Sequence, residues 1–224
     1  MSGDEFADTN LGYVDRYGLL TIVNVPEKCA DSMISSDTLN PGYVYTAGPS
    51  LREKNPSLFR IETKKILGSG NLITQGIISN YSRKLEEDVK AAWLQFKNDY
   101  CLYNSSSDSF SSSDFVFYLN DIQNRGATKY ISTALYVALT SLFLNKPVKN
   151  SLAVLGSISL TGTFNEFETI IENMRAAYNA GAKIILIPIS EKEKIENSNE
   201  SFINNIDIRY YDSLMKAFEE AIGE

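Results

Sequence analysis

The stretch Asn124–Val148 reads N-R-G-A-T-K-Y-I-S-T-A-L-Y-V-A-L-T-S-L-F-L-N-K-P-V, and the chain then runs through Leu152-A-V-L-G-S-I-S-L-T-G-T-F164 and E-F-E-T-I-I-E-N-M-R-A-A-Y-N-A-G-A-K-I-I-L-I-P188. Ile131, Leu135, Ala138, Leu139 and Leu142 line one side of a helix that Asn145 and Pro147 end. Leu152–Leu160 is apolar enough for a central strand. Thr163 followed by Glu166 has capping-box spacing and predicts the start of a second helix, with Gly181 as its stop. Ile184–Ile187 is a buried strand ended by Pro188. Two strand–helix units thus run back to back with almost no loop between them.

Working outward, Leu58–Leu67 alternates apolar and polar residues as a half-exposed strand does, and Gly68-Ser-Gly-Asn71 predicts a hairpin into Leu72-Ile-Thr74. Leu85, Val89, Ala92, Trp93, Phe96 and Tyr100 form an apolar stripe at helical spacing over Asn80–Tyr103, with Lys84, Glu86, Glu87 and Lys90 on the other face. Asn104–Asp114 is a Ser/Asp-rich connection and Phe115–Leu119 a buried strand. Tyr13–Asp15 and Leu19–Val25 read as two short strands, Tyr43–Thr46 as another, and Ile206–Tyr210 and Leu214–Ile222 as a closing strand and helix.

Composition limits the chemistry. The chain has 224 residues, a net charge of −7 and no histidine. Lacking imidazole, it has no Ser-His-Asp or Cys-His system and no zinc site built on histidine. The acidic balance argues against a dedicated nucleic-acid surface. Cys29 and Cys101 have no metal-ligand spacing and read as reduced thiols of a cytoplasmic protein. The start lacks the pattern of a secretory signal, no apolar run approaches a membrane span, and no phosphate-binding G-x-x-x-x-G-K-[ST] loop occurs.

The helix ending in Lys146-Pro-Val148, the Gly156-Ser-Ile-Ser-Leu-Thr-Gly162 segment and Ala176-Ala-Tyr-Asn-Ala-Gly-Ala-Lys183 leading into Ile184-Ile-Leu-Ile-Pro188 resemble the proteolytic domain of the Lon protease family. The resemblance implies an α+β fold, a mixed sheet with helices on one side, over residues 41–224, preceded by a strand-rich extension over residues 1–40. In active Lon proteins a Gly-Pro-Ser-Ala-Gly segment opens the first helix and supplies the nucleophile, and a Lys-Glu-Lys segment on the second supplies the base. Laid without gaps from Pro147, that pattern puts Tyr130 at the serine position and Asn173 at the lysine position. No catalytic residue is therefore expected. Thr128, Ser132 and Thr133 are the hydroxyls near the same helix start and Lys129 and Lys183 the nearest amines in sequence; Ser132 with Lys129 is the best rescue, and an active peptidase using such a relocated hydroxyl and lysine is the alternative reading.

Phe6-Ala-Asp-Thr9, Val25-Pro-Glu27, Ile34-Ser-Ser-Asp37 and Asn40-Pro-Gly-Tyr-Val-Tyr-Thr-Ala-Gly48 narrow the resemblance to the C-terminal part of the BrxL family, the Lon-like proteins of BREX bacteriophage-exclusion systems. Membership would imply a ring-forming oligomer, contact with other BREX components, and DNA engaged through the full assembly. It would also imply an ATPase module elsewhere that uses ATP and Mg, with no cofactor, no metal and no membrane contact in this segment. The role implied is assembly and regulation in phage defence.

Overall fold

The structure is a computed structural model that describes residues 10–14, 20–24, 33–51, 55–75, 83–103, 112–127 and 129–222. The chain divides into two compact units, Met1–Met33 and Ile34–Glu224. In the first, β1 (Asn10–Val14) pairs antiparallel with β2 (Leu20–Asn24), Asn10 opposite Asn24 and Val14 opposite Leu20.

The second unit is built on seven strands: β3 (Tyr43–Gly48), β4 (Ser57–Leu67), β5 (Leu72–Gln75), β6 (Ser113–Asp121), β7 (Leu152–Val154), β8 (Ile184–Pro188) and β9 (Asp207–Tyr211). They lie in the order β5-β6-β4-β3-β7-β8-β9. β4 runs antiparallel to both of its neighbours, β6 and β3, whereas β3, β7, β8 and β9 are parallel and β5 lies parallel to β6. The helices are α1 (Arg83–Tyr103), α2 (Ser132–Leu144), α3 (Ile170–Asn179), α4 (Lys192–Glu196) and α5 (Leu214–Ile222). This is the mixed α+β sheet the sequence predicts.

The layering differs from the expectation of helices on one side. Val44, Phe59, Ile61, Val154 and Leu186 face a core closed by α1, α2 and α5. Their neighbours Tyr45, Leu58, Ala153, Ile185 and Ile187 face the opposite way, into a core closed by α3 and α4. The reason is topological. Parallel strands need crossover connections, and successive crossovers that land on opposite faces bury both.

The expected β4–β5 hairpin does not form either. The Gly68–Asn71 turn wraps instead around Asp114, whose Oδ1 accepts the main-chain N–H of Ser69 at 2.8 Å and of Asn71 at 2.9 Å. That clamp delivers β5 to the far side of β6, with Leu72 opposite Phe115, so β6 separates β5 from β4.

The second strand–helix unit departs further. The strand expected over Leu152–Leu160 ends at Val154, and Ser157–Asn165 folds into a small hairpin closed by Ser159 N–H to Thr163 O and Asn165 N–H to Ser157 O, each 2.8 Å. Thr163 and Glu166 therefore cap nothing, and α3 begins at Ile170 after Thr169. The Thr163 N–H, which a capping box would have satisfied, donates instead to Ser159 Oγ within the hairpin at 3.3 Å.

At the centre lies α2, with every residue from Ser132 to Ser141 buried. It ends as predicted: Asn145 takes the left-handed conformation at φ 52°, and its N–H and that of Lys146 close on Leu142 and Ser141. Cys29 lies outside the described residues.

Candidate functional site

Ile131, the residue before α2, supplies no side-chain cap, so the first N–H groups of this buried helix need acceptors from elsewhere. Asp88 of α1 supplies them. Its Oδ2 accepts Ile131 N–H at 2.8 Å, and Tyr130 and Ser132 N–H also point to the carboxylate. Its Oδ1 accepts the Ser157 hydroxyl at 2.9 Å. Ser157 in turn accepts the Asn165 amide at 3.0 Å and the Ser132 hydroxyl at 3.3 Å. Ser132 Oγ accepts Ile158 N–H at 2.8 Å, tying the hairpin to the helix.

Asp88 is only 6 % exposed. Burial raises its pKa to about 6, and the opposing hydrogen bonds from Ile131, Ser157, Tyr130 and Ser132 do not fully offset the lost hydration. The positive end of α2 adds to their effect without replacing a counter-charge.

Beside this carboxylate lies Tyr130, which the sequence reading sets against the family's serine. Its backbone is left-handed at φ 73°, an uncommon conformation for a bulky side chain. The ring is buried with its centroid 4.0 Å from that of Phe167, and the Lys129 ammonium lies 4.3 Å from its centre. Lys129 Nζ is also 3.4 Å from Glu168 Oε2. Partial burial pulls the Lys129 pKa down, but the Tyr130 hydroxyl and Glu168 outweigh it and the net shift is upward, so the amine is held as a cation. Ser132 makes its hydrogen bonds to Ile158 and Ser157, and Lys129 makes its to the Tyr130 side and Glu168. Thr128 lies outside the described residues.

Asn173, which the sequence reading sets against the family's lysine, is fully buried on α3. Its Nδ2 donates to Thr169 O at 2.6 Å and to Thr169 Oγ1 at 2.8 Å, turning the amide back into the first turn of its own helix.

A cavity of about 570 Å³ opens over Asp88, lined also by Tyr130, Lys129, Ser157, Asn165 and Glu168 but not by Asn173. Leu160, on its rim, is 55 % exposed at the tip of the hairpin. Gln95 Nε2 holds that tip to α1 through Leu160 O at 2.9 Å. Among the described residues no cluster of His, Cys, Asp and Glu is placed to hold a metal ion, and no helix is long and apolar enough to cross a membrane.

Asp88 escapes a reading of the sequence alone, although a signal exists. It sits three residues after Leu85 and four before Ala92, within the inward stripe of α1, where an acidic residue needs a partner.

Residues 44–224 match the family described as Lon protease (S16) C-terminal proteolytic domain. The whole chain is 31 % identical to the "Lon-like protease BrxL" of Bacillus cereus and 28 % identical to that of Escherichia coli, covering 32 % of each. The "Lon protease" of Neorickettsia sennetsu is 24 % identical over 80 % of the chain and 21 % of its own length. The chain thus spans about a third of the length of the BrxL relatives it matches. With 181 of its 224 residues inside the family match, the chain belongs to the Lon protease (S16) C-terminal proteolytic-domain family.

Proposed function

We propose that this is the Lon-like domain of a BREX-type phage-exclusion protein, that it lacks peptidase activity, and that it serves ring assembly and regulation. The observation that carries the reading is the pair at the dyad positions. A Ser–Lys peptidase needs an accessible hydroxyl and an amine that is neutral often enough to take its proton. Here one position holds a phenol buried against Phe167, and the other a carboxamide donating to Thr169. A carboxamide accepts no proton at neutral pH. The nearby amine, Lys129, is stabilised in its charged form, which is the wrong direction for a base.

The partners follow from the relatives. Self-association into a ring, contact with other phage-exclusion components, an ATPase module elsewhere using ATP and Mg, and DNA held by the whole assembly in the cytoplasm all belong to this proposal. The likeness to proteins named BrxL supports it.

The test is made on the full assembly with ATP, an unfolded protein substrate and a fluorophosphonate probe. Neither fragments nor labelled protein are expected. Labelling that disappears with Ser132→Ala would establish the relocated peptidase instead.

A further inference from the structure

The cavity over Asp88 has an unusual charge arrangement. Three other carboxylates line it, and each is paired with a cation: Glu87 with Arg83 at 3.3 Å, Glu166 with Lys194 at 3.0 Å and Glu168 with Lys129 at 3.4 Å. Asp88 has hydrogen-bond donors but, among the described residues, no ion pair. A buried carboxylate satisfied only by neutral donors is the group that gains most from an arriving cation.

We propose that this cavity receives the cationic side chain of a partner peptide, the ammonium of a lysine or the guanidinium of an arginine, with Asp88 as its counter-charge. The walls suit the rest of such a side chain. Leu160, 55 % exposed on the rim, offers apolar surface for an aliphatic stem, with Ser159 and Thr161 on either side of it in the hairpin. Lys84, one turn before Asp88 on α1, is exposed at the rim and leaves the floor to the incoming group. Since burial already holds the Asp88 pKa near 6, a cation beside it must bring that value down, and binding is coupled to proton release.

The inference rests on the reading that this domain does not cut peptides, and the two are separable. The full chain is titrated by NMR at pH 7.5 with the peptide acetyl-Ala-Ala-Lys-Ala-Ala-amide, and with the same peptide carrying norleucine. The lysine peptide is expected to bind about tenfold more tightly, and by reciprocity the titration midpoint of the Asp88 carboxyl carbon falls by about one pH unit in its presence. Asp88→Asn should abolish the difference between the peptides. Equal affinities, no binding of either peptide at millimolar concentration, or an unmoved midpoint in the wild-type protein each overturn the proposal, the last without any variant having to fold. Recovering the lysine peptide cleaved would sink the non-catalytic reading and leave the cation site standing.

Discussion

The carboxylate of Asp88 on α1 accepts the main-chain N–H of Ile131 at 2.8 Å, so the first turn of α2 is capped from a different helix. A helix with all of Ser132–Ser141 buried has no water to satisfy its leading amides. A cap donated across the core therefore joins three segments, α1, the start of α2 and the Ser157–Asn165 hairpin, through one side chain. The same side chain floors the cavity, so the architecture of the helix and the electrostatics of the site are one arrangement.

Gly156 and Tyr211 form a second such coupling. Gly156 has φ 144°, and a Cβ there would lie 2.1 Å from the Tyr211 hydroxyl. That hydroxyl donates to Leu155 O at 2.5 Å in a fully buried setting. Gly156→Ala is expected to destabilise by roughly 3 kcal/mol through contact and backbone strain together. Tyr211→Phe should cost about 1–3 kcal/mol by leaving a buried carbonyl unpaired. In the double variant the contact is relieved, so urea unfolding should find it less destabilised than the sum. Strict additivity would mean the two residues do not act on each other.

At Tyr130 the backbone and the ring pull in opposite directions. Replacing it by Ala empties the space against Phe167 while keeping a Cβ at φ 73°, for about 3–4 kcal/mol. Gly loses the same ring contacts but relieves the left-handed conformation, a difference of roughly 1 kcal/mol. Tyr130→Gly should therefore unfold at a higher urea concentration than Tyr130→Ala. The reverse order would show that the loop relaxes once the ring is gone.

Much of this fold is readable from hydrophobic period: α1, α2, β6 and β8 lie where their apolar patterns put them. What period cannot convey is the partner. The Gly68–Asn71 turn has the composition of a hairpin, but Asp114, more than forty residues on, chooses β6 over β4 as its destination. Thr163 and Glu166 have the spacing of a cap, yet Ser157 and Ser159 hold that backbone in a hairpin first. The site divides along the same line. Tyr130 and Asn173 are singled out by laying a family motif over the sequence, whereas Asp88 gains its role only when α1 is laid beside α2.

Asn173 offers a test of polarity within α3. Its Nδ2 makes both hydrogen bonds, to Thr169, while its Oδ1 is buried with no partner. Asn173→Leu removes the donor and the unpaired acceptor together, and stability should change by no more than about 1 kcal/mol. Asn173→Asp keeps the shape but sets an acceptor against the Thr169 carbonyl and buries an acid, for about 3 kcal/mol or more at pH 7.5. Equal stability of the two variants in chemical denaturation would show that water reaches this part of α3.

Asp88 gives the protein a dependence on pH opposite to that of most carboxylates. Its pKa of about 6 in the folded chain lies above the ordinary value of about 3.9 for an unfolded aspartate, so the folded state binds the proton more tightly. The stability this contributes is fully present below pH ~4 and is lost as pH rises through ~6, amounting to about 2 kcal/mol between pH 4.5 and pH 7.5. Other carboxylates drift the other way, so the informative quantity is a difference. Asp88→Asn cannot ionise, and its Oδ1 can still accept Ile131 N–H. The stability of this variant relative to wild type should therefore improve by about 2 kcal/mol as pH is raised from 4.5 to 7.5. A difference that stays flat across that range would mean the carboxylate is as well solvated in the folded chain as in the unfolded one, and that no uncompensated charge lies beneath the cavity.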